Sequence, residues 1–452
     1  MIKPSLRLLA LLTTAILAAS ACSSAATTAP GGGSAAPAAG VIELVLEHME
    51  TPQYRVDAFQ KAIDGFNQSQ TKYHVTQETV DWGTAYQRVT AQIQSGKVPD
   101  MVEAIPAFFT TIRATGKLPP ATTVYNKLAA TYHFEPSYVA QFKWDNEVWA
   151  VPTWGMVEAT WFDKKMLAAK GLTVPTTWNE TLAVAKALTG SGVYGYVGPA
   201  GDTFNGLQVI YTFMLAGGAG SIYDESCNPI IDNPQTVKAF EFYKELLQYS
   251  PPDSGTYNWA EVSSAFVAGR GAMMTFKGDP IATWSDISQT YGTTFHKDPV
   301  DLGIAPIPVP DSGPKTDLSL SYSNGIMVMT SDPTRQEGIY EFLNWFLKPD
   351  VYGEWLGVAQ PGLFLPVTTE GEQSQAFWNS PLIAAFKPQV QEILAINAKS
   401  ALYGFTQKAY CPAVGAFEGQ LTLAKGLEKM MAGGLSPADA VKWVSDQMKA
   451  QK

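Results

Sequence analysis

Apolar residues recur with two alternating periods along the chain after position 40. A continuous apolar run at 41–46 is typical of a buried strand. Val56, Phe59, Ile63 and Phe66 follow it, and their spacings of 3, 4 and 3 place them on one face of a helix. The first predicted unit is therefore a strand followed by a helix.

The same alternation continues. A second strand is predicted at 73–80 and a third at 101–105, with a loop at 81–83 and a helix that buries Tyr86 and Val89 between them. Strands and helices that alternate at this length favour a largely parallel sheet covered by helices on both faces.

The stretch 149–178 carries the densest series of structural signals, because proline, glycine and tryptophan interrupt its apolar runs. The predicted order begins with a strand at 149–151 that Pro152 ends, followed by a mobile corner at 153–155 that exposes Trp154. A strand at 157–162, a helix at 163–170 and a second helix N-capped by Thr177 come next.

Later segments continue the pattern of strands and helices. The sequence predicts strands at 191–198 and 323–329, loops at 199–206 and 277–279, and helices at 210–215 and 234–247.

The first forty residues differ in composition from the rest. Residues 1–21 have a short basic start and an apolar run, which is typical of an export signal. Small residues precede Cys22, as in the cleavage box of bacterial lipoproteins, so Cys22 is the expected lipidation site. Residues 22–40 are small and polar and predict a disordered tether, with the mature protein lipid-anchored in the periplasm or on the outer face of the cytoplasmic membrane.

The charge balance argues against a nucleic-acid partner. The chain has 31 basic and 41 acidic residues. Loss of Lys3 and Arg7 with the signal leaves 29 basic residues and a net charge of −12. A protein this acidic is repelled by a phosphate backbone.

Few residue patterns point to catalysis or metal binding. The four histidines have no metal-ligand spacing, and neither a nucleophile elbow nor a phosphate-binding glycine loop occurs, so no cofactor is expected. Two carboxylates would suffice for a glycosidase, and 41 acidic residues leave that alternative open. Cys227 and Cys411 are an isolated pair in an exported chain and are expected to form a disulfide.

Four ordered motifs resemble family 1 extracellular solute-binding proteins, the group that includes the maltose- and glycerol-phosphate-binding proteins. The first is Ser-Gly-x-x-Pro-Asp at 95–100, and the second is Trp-Phe-Asp-Lys at 161–164, where the family has Tyr-Tyr-Asn-Lys. The third is Phe-x-x-Gly at 266–269, followed by Ala272 and Met273, and the fourth is Ala-Pro-Ile-Pro at 305–308.

The resemblance extends over residues 41–449 and implies a fold. That fold is α/β, the two-lobed type II periplasmic-binding-protein fold, in which each lobe is a mostly parallel sheet flanked by helices and the ligand cleft lies between the lobes. The implied N-terminal lobe is 41–152 with 325–365, and the C-terminal lobe is 153–324 with 366–452.

The resemblance also implies a set of ligand-binding residues on the loops at the strand ends. Several are aromatic and would stack on the apolar face of a sugar ring. The implied residues are Glu50, Trp82, Trp154, Phe204, Asn205, Asp279, Tyr322, Asn324 and Glu418. Glu418 stands where maltose-binding protein has a stacking tryptophan.

The sequence thus favours a monomeric, non-enzymatic protein that captures a sugar or oligosaccharide and delivers it to the permease subunits of an ABC transporter. Residues 401–410 contain Lys408 but no arginine at the position where the glycerol-phosphate binders bring one to the phosphate, which favours an uncharged saccharide. A binder of glycerol phosphate, a glycerophosphodiester or a polyol is the alternative within this class. A secreted glycoside hydrolase is the alternative outside it.

Acylation of Cys22 is directly testable. Mass spectrometry of the protein extracted from membranes is expected to show a mature chain that begins with a lipidated Cys22, and Cys22→Ser should release the protein from the membrane fraction. A mature wild-type chain that begins at another residue and carries no lipid would contradict the prediction.

Overall fold

The structure is a computed structural model that describes residues 40–290, 298–402, 404 and 411–450, with the backbone alone at 285–290. The predicted export signal, Cys22 and Lys408 lie outside the described residues, as does the predicted tether except for Gly40. None of the described helices is both long enough and apolar enough to cross a membrane.

Strands and helices alternate as the hydrophobic pattern predicts. The strands are β1 (Ile42–His48), β2 (Tyr73–Thr79), β3 (Met101–Ala104), β4 (Lys143–Trp144), β5 (Glu147–Val148), β6 (Val151–Val157), β7 (Ala159–Asp163), β8 (Met273–Phe276), β9 (Leu302–Ala305), β10 (Ser319–Val328) and β11 (Ser400–Leu402). The helices before residue 291 are α1 (Gln53–Ser69), α2 (Trp82–Ser95), α3 (Pro106–Ala114), α4 (Thr122–Ala129), α5 (Pro136–Ala140), α6 (Lys164–Ala169), α7 (Trp178–Leu188), α8 (Phe204–Ala216), α9 (Pro234–Leu246), α10 (Trp259–Val267) and α11 (Asp279–Thr290). Those after it are α12 (Pro333–Phe346), α13 (Pro349–Ala359), α14 (Thr369–Glu372), α15 (Gln375–Trp378), α16 (Pro381–Ala385), α17 (Lys387–Asn397), α18 (Ala413–Gly419), α19 (Thr422–Met431) and α20 (Pro437–Ala450).

The larger sheet has six strands in the order β11-β10-β3-β1-β2, with β6 also paired to β10. The β1–β2, β1–β3 and β10–β11 pairs are parallel, whereas β10 runs antiparallel to β3 and β6. This sheet is mixed, with the parallel part formed by the first strand–helix units.

The smaller sheet has the order β8-β7-β9, and both of its pairs are antiparallel. The expectation of a mostly parallel sheet is therefore wrong for these three strands. Among the described residues, the parallel pairing beside this sheet consists of isolated bridges from Tyr194 to Gly271 and from Val197 to Met274, in the segment predicted as a strand at 191–198. Glycines at 190, 192, 195 and 198 leave that segment with few side chains to pack, which explains why it forms bridges rather than a continuous strand.

Local capping signals fix several helix starts. The Thr177 hydroxyl accepts from the backbone N–H of Glu180 at 3.3 Å, and the Glu180 carboxylate accepts from the N–H of Thr177 at 3.2 Å. This capping box begins α7 where the sequence predicted it. Asp81 caps α2 by accepting from Gly83 N at 2.8 Å, so Trp82 begins a helix rather than lying in the predicted loop.

The predicted corner at 153–155 is wrong, because these residues lie inside β6. Pro152 is tolerated there because β6 has β10 as its one ladder partner among the described strands, and such edge positions need no N–H donor. Gly155 is required by close packing rather than by a turn, since a Cβ there would lie 2.2 Å from the ring of Tyr138.

Two buried apolar clusters stabilise the described chain. One includes Phe108, Phe213 and Val444, and the other includes Phe59 and Phe266. Each cluster draws residues from both predicted lobes, while the assigned lobe boundaries stay a prediction.

A disulfide joins Cys227 to Cys411, which confirms the predicted pair. It links the turn before α9 to the residues that lead into α18, across a sequence separation of 184. Closing so long a loop restricts the unfolded chain, an effect of about 2–4 kcal/mol for a typical disulfide.

The disulfide gives a stability prediction. Thiol labelling of the unfolded, unreduced protein should leave the peptides of Cys227 and Cys411 unmodified, and the Cys227→Ser, Cys411→Ser double variant should lose about 2–4 kcal/mol of unfolding free energy in denaturant titrations. Full labelling of both cysteines without reductant would overturn it.

Candidate functional site

One pocket gathers side chains from strands β6 and β10 and from several helix N-termini. Its floor is formed by Trp154 and Met156 of β6 and by Tyr322 and Asn324 of β10. Asn324 pairs with Trp154 and Tyr322 with Met156 across the antiparallel ladder. Because alternate residues of a strand face the same side, this register places all four side chains on one face of the sheet.

Trp154 is more deeply buried than the sequence suggested. Its ring is 3% exposed and stacks on Phe364, with centroids 3.9 Å apart and an interplanar angle of 25°. One face of the indole is therefore already covered by protein. Trp154 shapes the pocket floor and leaves little of its surface for a ligand.

The pocket wall carries three half-buried aromatic rings, each at the first residue of a helix. Trp82 begins α2, Phe204 begins α8 and Trp259 begins α10. Phe204 and Trp259 lie parallel within 21°, with centroids 5.9 Å apart. These rings, rather than Trp154, offer accessible aromatic surface to a ligand.

An ion pair lies at the end of β1. Glu50 pairs with Arg55 of the first turn of α1. The Arg55 Nε donates to the side-chain oxygen of Gln360 at 3.1 Å, and its guanidinium lies 5.4 Å from the ring centroid of Phe364. Arg55 thereby ties α1 to the 360–364 segment that supports Trp154.

A second cation lies at the end of β8. The Lys277 ammonium donates to Gln208 Oε1 at 2.7 Å, and the same oxygen accepts from Trp259 Nε1 at 3.0 Å. Lys277 also lies 5.1 Å from the Trp259 ring centroid and 3.9 Å from Glu158. Burial raises the pKa of Glu158 to about 7, although the Lys277 charge opposes this rise.

Asp279 begins α11 and faces the same region. Burial raises its pKa, while the charges of Lys277 and Arg55 act to lower it. Both cations of the pocket therefore favour the ionised form of Asp279.

Glu418 of α18 differs from the other charged groups. Its side chain is 0% exposed, and neither carboxylate oxygen has a hydrogen-bond partner among the described residues. Burial raises its pKa to about 8. A carboxyl group in this state lacks the partners that buried polar groups normally have.

The structure brings together eight of the nine predicted ligand residues around a cavity of about 140 Å³. They are Glu50, Trp82, Trp154, Phe204, Asp279, Tyr322, Asn324 and Glu418. Asn205 is buried beside Phe204 but does not line the cavity, and its side-chain amide has no hydrogen-bond partner within the described chain. Ligand contact by any of the nine stays a prediction.

Sequence reasoning missed several residues that line the cavity, among them Arg55, Gln208, Trp259 and Lys277. Two of them had a usable local signal. Trp259 follows Asn258, which forms a capping box with Glu261, and Gln208 lies one helical turn after Phe204. Their meeting with Lys277 depends on tertiary packing that no local pattern encodes.

Sequence comparison relates the chain to known binding proteins. The family model of bacterial extracellular solute-binding proteins matches residues 53–352. A relative in Escherichia coli strain K12, named as an ABC transporter periplasmic-binding protein, YcjN, is 22% identical over 336 residues, which is 72% of this chain and 73% of YcjN.

Solved structures show the same fold. A solute-binding protein of Agrobacterium radiobacter K84 in complex with ribitol has a TM-score of 0.73 at 20% identity, covering 90% of this chain and 98% of that one. A sugar transporter protein of Arthrobacter chlorophenolicus A6 with bound laminaribiose has a TM-score of 0.72 at 21% identity, covering 91% and 99%. The predicted two-lobed type II periplasmic-binding-protein fold is thereby confirmed.

Burial of Glu418 predicts a pH-dependent stability. Its folded pKa, about 8, lies above the unfolded value near 4.3, so the folded state holds the extra proton between these values. Unfolding free energy should fall as pH rises through this window, by up to roughly 1.4 kcal/mol per pH unit from this one group.

The substitution Glu418→Gln tests this, because it keeps the shape and removes the ionisation. In thermal melts of ligand-free protein, the variant should match the wild type near pH 5 and melt at a higher temperature near pH 8. A melting difference that stays constant from pH 5 to pH 8 would contradict the buried, protonated carboxyl.

Proposed function

Because the chain belongs to the family of bacterial extracellular solute-binding proteins, we propose that it captures a sugar or oligosaccharide in this pocket and delivers it to the permease of an ABC transporter. The observation that carries the proposal is the half-buried ring set of Trp82, Phe204 and Trp259 beside buried polar groups. Flat rings bind the apolar faces of sugars, and polar side chains bind their hydroxyls.

The floor supplies polar atoms that need a partner. The Asn324 amide is fully buried in the described structure, and neither its nitrogen nor its oxygen has a hydrogen-bond partner. A sugar hydroxyl both donates and accepts, so it satisfies such an amide, whereas an apolar ligand leaves it unpaired. The ribitol and laminaribiose named for the two similar structures support a ligand rich in hydroxyls.

A polyol remains the alternative within this class, since ribitol is an open-chain polyol. Phosphate is less favoured. The two cations of the pocket, Arg55 and Lys277, are already engaged by Glu50 and Gln208. A phosphate would have to compete with these contacts.

Capture proceeds by closure of the lobes around the ligand, and the closed form is what the permease recognises. The cavity of about 140 Å³ is smaller than the roughly 300–1,000 Å³ of common ligand pockets, so an oligosaccharide requires the lobes to separate further. Gly278 and Gly362 come from opposite predicted lobes, and a Cβ on Gly278 would lie 1.8 Å from the Gly362 carbonyl oxygen. Only glycine permits so close an approach of the two backbones at this point.

The protein acts by binding and release without turnover, as an exported monomer held at the outer face of the cytoplasmic membrane by a lipid on Cys22. A secreted glycoside hydrolase is the rival of another class. Product analysis after prolonged incubation separates the two, because a binding protein returns the saccharide intact.

The substitution Trp259→Ala tests the proposed function. Loss of a ring that stacks on a sugar should weaken saccharide binding roughly tenfold to a hundredfold in calorimetric titration, since a single aromatic contact contributes about 1–3 kcal/mol. Trp443→Ala is the matched control, because Trp443 is also half-buried but lies on α20 and not in the pocket lining.

Equal affinities for the wild type and both variants would reject the aromatic pocket as the sugar site. Melting temperatures measured in parallel distinguish lost contact from lost structure.

The Trp154→Ala variant should bind the saccharide more weakly and should also be less stable. Its unfolding free energy should fall by about 3–5 kcal/mol, the usual cost of truncating a buried tryptophan.

A further inference from the structure

Glu418 is a carboxyl group at the position where maltose-binding protein has a stacking tryptophan. The residue lies on α18, lines the pocket and is 0% exposed. Both of its carboxylate oxygens lack a hydrogen-bond partner in the described part of the chain. A buried group with two unpaired oxygens is a strong acceptor that faces the space a ligand would fill.

The other charges of the pocket already have compensation. Glu50 is paired with Arg55. Asp279 is attracted by both Arg55 and Lys277, and Lys277 donates to Gln208. Glu418 is therefore the one carboxyl group lining the described pocket without a neighbouring cation.

The elements packed against α18 do not supply a cation to Glu418 in the described structure. On α2 the ring of Tyr86 is the titratable group that interacts with Glu418. On α3, Arg113 pairs with Asp145. On α19, Lys425 and Glu428 are exposed, and Lys429 lies over the ring of Trp443 at 4.8 Å.

We propose that the ligand is a saccharide that carries a basic nitrogen, and that Glu418 binds this nitrogen as an ammonium group. This inference rests on the proposed function and replaces the uncharged saccharide favoured by the sequence with an amino sugar. An ammonium group has three donors and can satisfy both carboxylate oxygens, whereas a single hydroxyl donates once and leaves one oxygen unpaired. Charge-assisted hydrogen bonds in a buried site are about twice as strong as neutral ones.

Binding also moves a proton. Burial raises the pKa of Glu418 to about 8, so the free protein holds a proton on this group at pH 7. An ammonium group stabilises the carboxylate, and the proton leaves to solvent as the ligand binds. The affinity for an amino sugar should therefore rise between pH 6 and pH 8, as long as the amine of the ligand stays protonated.

The test compares sugars that differ only in the amine. Calorimetric titration would use glucosamine against glucose, galactosamine against galactose, and β-1,4-linked diglucosamine against cellobiose. At least one amino sugar is expected to bind the wild type roughly tenfold to a hundredfold more tightly than its neutral counterpart, the range of a charge-assisted hydrogen bond. Titration at pH 7 in buffers of different ionisation enthalpy should show proton release with that amino sugar.

The Glu418→Gln variant should lose the preference and the proton release, because its side-chain amide is neutral and has no acidic proton. The preference is the ratio of the two affinities measured within one variant, so an equal loss of affinity for both sugars does not change it. Glu428→Gln is the control, because it makes the same substitution on the exposed face of α19 and should retain the preference. Melts of both variants verify folding.

Neutral sugars that bind as well as or better than their amino counterparts would overturn this inference and leave the proposed function intact. An amine preference that survives in Glu418→Gln would also overturn it, because the nitrogen would then lie elsewhere. Failure of every sugar to bind would count against both proposals.

Discussion

The pairing of β10 with its neighbours is the constraint on which the site depends. All ten residues of β10 are buried, and the strand pairs with β3, β6 and β11. Its ladder with β6 shifts register between Asn324 and Gly325, at the edge of the pocket floor. A slip of one residue would turn Tyr322 and Asn324 away from the pocket, because the side-chain period of a strand is two. The geometry of the pocket floor is thus set by the backbone hydrogen bonds of the sheet.

Helix starts then arrange side chains around this floor. Trp82, Phe204, Trp259 and Asp279 are each the first residue of a helix, where the chain leaves a loop and the side chain is not yet covered by the next turn. Capping side chains such as Asp81 and Thr203 fix where these helices begin and therefore where the pocket residues lie. The buried side-chain atoms of Asn324 and Glu418 have no hydrogen-bond partner among the described residues, and each such atom costs about 1–3 kcal/mol. In the proposed function, a ligand that pairs with these atoms removes this cost. In that proposal, affinity and ligand-induced stability depend on the same atoms.

Much of the fold and part of the pocket lining could be predicted from the sequence. The apolar runs and helical spacings placed β1, α1, β2 and α9 close to their observed bounds, and the ordered motifs predicted the family and the fold. The corner expected at 153–155 was wrong, because proline and glycine look like turn signals in a sequence but occur here for tertiary reasons. Pro152 is tolerated at an edge position of the sheet, and Gly155 is required by its close contact with Tyr138. The stacking of Trp154 on Phe364 and the shared contacts of Gln208 with Lys277 and Trp259 join distant segments, and local patterns carry no information on such contacts.

The most direct measurement of the central claim is a crystal structure of the protein with a saccharide bound. The account predicts a sugar ring against Trp82, Phe204 or Trp259, with polar atoms within hydrogen-bond distance of Asn324 and Glu418. A saccharide bound elsewhere, such as the surface groove between α1 and α13 lined by Lys61 and Trp345, with this pocket left without ligand density, would contradict it.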